Sequence, residues 1–316
     1  MKIAFIGPGY VSIPPKDYGA IEILIWDLTQ ALRKLGHHVD IYNDLNLENI
    51  ALTIESQSYD FVHLQYDDHV QFFAPRWKNK TKWGFTNHYG WFNDRSKWSA
   101  SHHYWFKLSS MVPNIICLSE QIANIYNTVK QKNQKIFILR NGTNTDNFKF
   151  YENSNMKAIC VGCIDQRKNQ FLLNNLCSNI DFVGPIRQDG IFEFKNNNSY
   201  LGVWNKQQLY DNLGNYACLI LASRGEAAPL VVPEAMAAGL SLVVSKESSA
   251  NLEKKDWILQ IDINDVNYMN THLNDDINNM IKNNIKYRKD IRNYAINKFN
   301  WDIIAEDYLK IIKNSI

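Results

Sequence analysis

Short apolar runs alternate along this chain with stretches whose apolar residues recur at helical spacing. The run 2–7 (KIAFIG) predicts a strand. Ile21, Leu24, Ile25, Leu28, Leu32 and Leu35 then share one helical face, and Gly36 stops that helix. HVDIY (38–42), FVHLQY (61–66), KWGFTNH (82–88) and NIICLS (114–119) read as further buried strands. Ile122, Ile125, Tyr126 and Val129 form a helical stripe ahead of the strand KIFIL (135–139). The stretch 141–157 is polar, rich in asparagine and aperiodic, so it reads as a linker. The alternation then restarts with strands at 158–164, 180–186, 218–223 and 240–245. Helices are predicted in FLLNNLCSNI, KQQLYDNLGNYA and the segment around residue 230, and a largely helical tail follows from about residue 265. Strands alternating with helices predict an α/β chain of two Rossmann-like domains, each with a mostly parallel sheet. Their expected extents are 1–150 and 151–295, with a last helix, 296–316, crossing back to the first. Two such sheets facing across a cleft would make a closable ligand site at the strands' carboxyl ends.

Composition narrows this picture by exclusion. The 316 residues are enough for two ordinary domains, and a 45% hydrophobic content excludes global disorder. A net charge of +2 argues against bulk nucleic-acid binding. No apolar run reaches the roughly 20 residues that span a bilayer. The N-terminus reads as a strand and not as a signal peptide, and the five cysteines lack framework spacing. Both features predict a cytoplasmic protein. Cys160 and Cys163 lie in a strand pattern that sends their side chains to opposite faces, so they read as structural. The sequon Asn141-Gly-Thr reads as incidental.

The most informative segment is 223–245, SRGEAAPLVVPEAMAAGLSLVVS. Pro229 and Pro233 are tolerable only if a helix begins near Pro229 or Leu230, because proline fits a helix's first turn and breaks its interior. Glu226 then lies in the loop ahead of the helix and Glu234 in its second turn. The free N–H groups of Leu230 and Val231 point out of the helix start, which suits an anion. Ionised carboxylates accept hydrogen bonds from sugar hydroxyls. A ligand with both features is a nucleotide sugar. An ordinary buried helix with two solvated glutamates fits the same spacing.

Other segments carry weaker signals. Gly7-Pro8-Gly9-Tyr10-Val11-Ser12 approaches a dinucleotide fingerprint but ends in serine, and Pro14 and Pro15 delay the helix, which argues against NAD. Gly19, just before the helix, is better placed for a phosphate or sugar to approach the backbone. His88 ends a strand, where a histidine is either structural or functional. Arg167 and Lys168 follow a strand and suit a diphosphate, although a solvated charge pair reads the same way. Tyr89, Trp91, Trp98, Tyr104 and Trp105 form a packing stripe or, if exposed, stack on sugar rings or sit at a membrane interface.

Together these segments resemble the retaining glycosyltransferases of family 4, which have the GT-B fold. Glu226 and Glu234 match the family's E-x7-E motif, flanked by EAMAAG and VVS. PPKDYGAIE (14–22), TNHYGW, NIICLSEQIA, LRNGTNTDNF, VGCIDQRKNQ and FNWDIIAEDYLKII resemble its other segments in the same order, over most of the chain. The resemblance implies a transferase that moves a hexose-type sugar from a nucleotide sugar, with UDP or GDP as its nucleotide, to a hydroxyl of a glycan, protein or lipid-linked acceptor. It implies that Glu234 holds the ribose, that Lys168 binds the diphosphate with the Leu230 and Val231 amides, and that Glu226 contacts the donor sugar. Gly162 and Arg167 join the donor site, Gly19 lies near the phosphates, and His88 lies near the reacting centre. Tyr89 and Trp91 would face the acceptor. Neither metal nor separate cofactor is implied, since cations and amides take the leaving-group charge. Peripheral membrane contact through Trp and Lys is compatible with the sequence.

Three positions depart from the family. Cys163 stands where an arginine is usual, with Arg167 as its natural substitute. Gly19-Ala20 replaces a glycine pair, and Glu226-Ala-Ala-Pro-Leu replaces E-G-F-G-L. A catalytically weakened sugar-nucleotide-binding protein and a sugar-nucleotide epimerase of the same fold therefore stay open. A glycan phosphorylase is disfavoured by the short chain.

Overall fold

The computed structural model describes residues 1–16, 19–80, 82–195 and 198–315. Asp17 and Tyr18, which belong to the segment 14–22 singled out above, lie outside the described residues. The chain divides into two compact units. Met1–Gly142 joins Trp301–Ile316 in the first, and Thr143–Asn300 forms the second. The division falls after Gly142 and not after residue 150, because the expected linker is built into the second unit. Thr145 and Phe148 are buried there, Phe148 within the second unit's core.

The first unit carries a parallel sheet of β1 (Lys2–Ile6), β2 (His38–Tyr42), β3 (Phe61–Leu64), β4 (Trp83–Phe85), β5 (Asn114–Cys117) and β6 (Lys135–Ile138), in the order β2-β1-β3-β4-β5-β6. Its helices are α1 (Ala20–Lys34), α2 (Leu47–Glu55), α3 (Val70–Arg76), α4 (Ala100–Ser109), α5 (Glu120–Asn127) and the closing helix Trp301–Ser315. β1 and β3 are buried almost throughout, as near-continuous Ile, Phe, Val and Leu runs require of a sheet covered on both faces. The strand expected at 82–88 is shorter than predicted, covering Trp83–Phe85, and Thr86, Asn87 and His88 extend beyond it.

The second unit's parallel sheet contains β7 (Ala158–Val161), β8 (Ile180–Val183), β9 (Ser199–Tyr200), β10 (Cys218–Leu221), β11 (Ser241–Ser245) and β12 (Ile258–Ile261). Its helices are α6 (Gln170–Leu176), α7 (Lys206–Asn212), α8 (Val231–Ala237), α9 (Val266–Thr271) and α10 (Leu273–Phe299). The last helix, which belongs to the first unit, is α11. The strand order is β12-β11-β10-β7-β8-β9. Read outward from β7, this is the doubly wound nucleotide-binding order, with its switch point between β7 and β10. The first sheet reverses between β1 and β3, as in the flavodoxin-like order.

Every residue of α8 is buried, and Val232, Ala235 and Met236 pack in the core under β10 and β11. Full burial of a valine or methionine side chain such as Val232 or Met236 stabilises by about 1.5–3 kcal/mol, which fixes the helix although it has only seven residues. Arg288 of α10 is also buried. Its guanidinium donates to the carbonyls of Tyr151, Tyr216 and Gly214 and to Asn284, and burial lowers its pKa to about 10. The three bonds to carbonyls tie α10 to the segment leading into β7 and to the turn before β10, and the fourth stays within α10. In α11, Phe5 and His63 of the sheet stack with Tyr308 at 5.8 and 5.5 Å between ring centroids.

Candidate functional site

The switch point of the second sheet carries converging charges. Arg167 and Lys168 lie on the turn between β7 and α6, and Glu226 on the loop leaving β10. Lys168 Nζ donates to Glu226 Oε1 at 2.6 Å, and Arg167 approaches the same oxygen at 3.1 Å. Arg167 also donates to the Gly225 carbonyl at 2.7 Å, and its own carbonyl accepts from the Arg224 amide at 2.8 Å. Asp165 braces the turn from inside by accepting from the Lys168 amide at 2.7 Å. Burial alone would raise the Glu226 pKa, but the charges of Lys168 and Arg167 outweigh it and hold the carboxyl below its ordinary value. Two cations on one carboxylate leave a net positive cluster beside a helix start.

Gly162 leaves β7 at φ 142°, and the Lys168 stem lies against it, 3.5 Å from where a Cβ would stand. Cys160 is buried within β7, while Cys163 lies beyond its end and is partly exposed. Burial raises the Cys163 thiol pKa, and neighbouring Arg187 partly offsets it.

Helix α8 begins at Val231, and Glu234 closes its first turn instead of opening a second as expected. Val232 donates to the Pro229 carbonyl and Glu234 to that of Leu230, so the Leu230 and Val231 amides precede the helical ladder. Glu234 is buried and ion-paired to Lys206, the first residue of α7. Asn205 and Gln208 form a capping box that fixes this helix start, and the Lys206 ammonium lies 5.3 Å from the Tyr210 ring. The reading of the sequence missed Lys206. Its available signal was a cation at the entry of a helix leading to a strand of the same sheet.

The first unit gathers neutral groups at the carboxyl edge of β3 and β4. His88 Nε2 lies 2.8 Å from Gln65 Oε1, and Gln65 Nε2 lies 3.1 Å from His63 Nδ1. His63 also contacts Thr86 and Tyr308. Burial lowers the pKa of His88 to about 4 and that of His63 to about 3, so both rings are neutral at pH 7. Gln65 and His63 did not emerge from the sequence as site residues. The same edge holds Asp67, whose pKa burial raises to about 6. A cavity of about 30 Å³ beside His63, Gln65, Thr86 and His88 has room for about one water molecule.

Gly19 precedes α1 at φ 132°, in the left-handed region that favours glycine. A Cβ there would meet Glu22 Oε2 at 2.7 Å, so a buried carboxyl of its own helix already occupies the space beside it. In the turn after β1, Asn43 accepts from the Gly9 amide at 2.8 Å and donates to the Val11 carbonyl at 2.7 Å. Asn43 thus fills the turn where a dinucleotide pyrophosphate would need to approach.

The aromatic segment 88–107 is only partly packed, with Tyr89, Trp91 and Trp105 half-buried. Phe92 and Trp98 are buried, Tyr89 stacks on His102 at 3.7 Å, and Lys97 lies 5.8 Å from the Trp91 ring. Tyr104 is exposed. An open pocket of about 820 Å³ in the second unit is lined by Tyr151, Asn153, Trp204, Asn212 and Asn215, among others. None of the predicted site residues lines it. Converging charge at the sheet's switch point, not volume, marks the candidate site. Among the described residues, no helix is long and apolar enough to cross a membrane.

The sequence matches no protein-family model and no curated protein. Solved structures match along nearly the whole chain. Sucrose-phosphate synthase from Thermosynechococcus elongatus matches with a TM-score of 0.82 at 17% identity, over 99% of this chain and 98% of that one. HepE of Anabaena, in complex with UDP and glucose, matches with 0.78 at 14% identity, over 99% and 100%. The lipopolysaccharide outer core galactosyltransferase WaaB matches with 0.70 at 15% identity, over 100% of both chains. The fold of this chain is therefore the GT-B type, two Rossmann-like units each built on a six-stranded parallel sheet.

Proposed function

We infer that the protein is a nucleotide-sugar-dependent glycosyltransferase of the retaining, family 4 kind. It moves a hexose-type sugar from a UDP or GDP donor to a hydroxyl of a carbohydrate-containing acceptor. The observation that carries this reading is the convergence of Arg167 and Lys168 on Glu226 at the β7/β10 switch point. HepE, of the same fold, was solved with UDP and glucose, which supports a nucleotide sugar as the ligand class.

In this reading the diphosphate lies against Lys168 and Arg167, and the Leu230 and Val231 amides donate to its oxygens. Glu226 holds both cations in place before the donor arrives, so little reorganisation accompanies binding. Its remaining lone pairs accept from donor-sugar hydroxyls. Glu234 accepts from the ribose hydroxyls and shares its charge with Lys206. Gly162 lets the Lys168 stem lie flat, Gly19 borders the phosphates, and neutral His88 hydrogen-bonds a hydroxyl near the reacting carbon. Tyr89 and Trp91 border the acceptor.

The bond from the anomeric carbon to the phosphate oxygen breaks as the bond to the acceptor oxygen forms. Negative charge develops on the departing phosphate, where Lys168 and Arg167 stabilise it. The acceptor's proton passes to that phosphate on the same face. The chain's own cations take the charge that a metal takes elsewhere. We place the protein in the cytoplasm, with peripheral membrane contact through the aromatic and basic residues of the first unit.

A thermal-shift screen against UDP-, GDP-, ADP- and TDP-sugars tests the reading. Binding at 100-fold over Kd stabilises by about 2.7 kcal/mol and raises the melting temperature. A protein that neither binds nor hydrolyses any of them overturns it. Cys163, in place of an arginine, favours a second reading as a sugar-nucleotide-binding protein with weakened turnover. Donor binding without transfer to any sugar acceptor would select that one.

A further inference from the structure

His88 is tied to a chain of buried polar groups whose proton directions can be followed from one end. Thr86 Oγ1 donates its single proton to the Ile116 carbonyl at 2.9 Å. The same oxygen lies 2.8 Å from His63 Nε2, so it accepts there and the His63 proton sits on Nε2. His63 is neutral, and its Nδ1 is therefore a lone pair. Tyr308 Oη donates to it at 3.0 Å and Gln65 Nε2 at 3.1 Å. Gln65 thus turns its NH₂ toward His63, because its carbonyl oxygen there would face a lone pair. Its Oε1 is left 2.8 Å from His88 Nε2, which has to donate.

We propose that the Ile116–Thr86–His63–Gln65 relay, with Tyr308 of α11 as its second donor, holds His88 in the Nε2–H tautomer and leaves Nδ1 as a hydrogen-bond acceptor for a substrate hydroxyl. His63, Gln65, Thr86 and Tyr308 are positioning residues. Only His88, which is partly exposed, is expected to touch substrate. Among the described residues, no hydrogen bond engages His88 Nδ1, as such a role requires. Naming the ligand as a sugar hydroxyl rests on the proposed function; the tautomer does not.

The test is long-range proton–nitrogen NMR on the full chain with ¹⁵N-labelled histidine at pH 7, with His88 assigned by its loss in His88→Asn. The expected wild-type spectrum shows His88 protonated at Nε2 and a pyridine-type nitrogen at Nδ1. Gln65→Leu should lose this pure signature and show Nδ1–H signal. Thr86→Val, which removes the acceptor that keeps the His63 proton on Nε2, should lose it as well. An Nδ1–H wild-type ring, or a tautomer unchanged in both Gln65→Leu and Thr86→Val, overturns the relay. If Gln65→Leu does not fold, the wild-type and Thr86→Val spectra decide. No donor or acceptor enters the measurement. A relay found intact in a protein without transferase activity refutes the proposed function alone. An Nδ1–H ring in an active transferase refutes the relay alone.

Discussion

The carboxyl edge of the second sheet is built from paired charges, and that of the first from a neutral hydrogen-bonded network with the Asp67 carboxyl beside it. In the second unit, Lys168 and Arg167 meet Glu226, and Lys206 meets Glu234, with both carboxylates buried. In the first, His88, Gln65, His63, Thr86 and Tyr308 form one hydrogen-bonded chain that carries no net charge. The two interiors solve the same desolvation problem differently. A buried charge persists only when paired, and the pairs then leave an electropositive surface for an anion. A buried neutral network persists only when every proton has a direction, and it then fixes a tautomer. In the proposed reading, the charged edge would meet phosphate and the neutral edge hydroxyls.

Four experiments press on this contrast. Lys168→Met should have the largest effect. It removes the shorter of the two cation contacts to Glu226, so turnover should fall on the order of 100-fold, and removing one partner of a buried pair should cost about 3 kcal/mol. Steady-state kinetics and urea unfolding check both. Because the Glu226 pKa is held below 4.5, the pair's stability is fully present above that pH and is lost as pH falls through the lowered value. Wild-type protein should therefore lose stability on acidification where Lys168→Met loses less.

Glu234→Ala comes next. Nucleotide affinity should weaken about 10-fold, near 1.4 kcal/mol, while turnover at saturating donor changes little. Titration calorimetry with the free nucleotide reads the first quantity. Unchanged affinity would remove Glu234 from the donor site and reduce Lys206–Glu234 to a structural pair.

Asp67→Asn probes the neutral unit with a smaller effect of the opposite sign. The folded pKa of Asp67 is raised to about 6 from 3.8, so its charge opposes folding fully above pH 6 and not at all well below 3.8. The substitution should stabilise by about 1 kcal/mol at pH 8, discounted for the partial exposure of this side chain, and by nothing near pH 3. Equal melting temperatures of variant and wild type at pH 8 would count against a charge-averse edge. The smallest effect belongs to Cys163→Arg. Arg167 already occupies the cluster, so turnover should change by less than about 3-fold. A large gain would show that the charged edge of the native chain is one cation short.

The two edges were not equally legible in the sequence. Glu226 and Glu234 stand out because charge is conspicuous in an apolar context and because Pro229 and Pro233 confine where α8 starts, whereas Arg167 and Lys168 sit in a polar stretch and were read from their place after a strand. Apart from β9 and β12, the strands and their order of appearance followed from periodicity. Lys206 was hidden because its partner is distant in sequence, and helix-entry lysines are common on solvated faces. The relay was less legible still. Its hydrogen bonds join β3, the segment after β4, β5 and α11, and no spacing rule links His63 to a tyrosine 245 residues later. Likewise, the polar 141–157 stretch hid Phe148, a single core residue amid asparagines, so the unit boundary moved to Gly142. The two-residue strand β9 is too short to carry a period at all.

The place of Tyr308 has a consequence for synthesis. The second unit is one continuous stretch, Thr143–Asn300, and all of it leaves the ribosome before α11 does. The first sheet emerges before the second unit, yet Phe5 and His63 meet the Tyr308 ring only after the second unit has been made. Domains made on the ribosome usually mature from the N-terminus. The chain order of the two units predicts the inverse here, with the first unit closing after the second. A nascent chain stalled before residue 301 should carry a protease-resistant second unit and a first unit that is still cleaved.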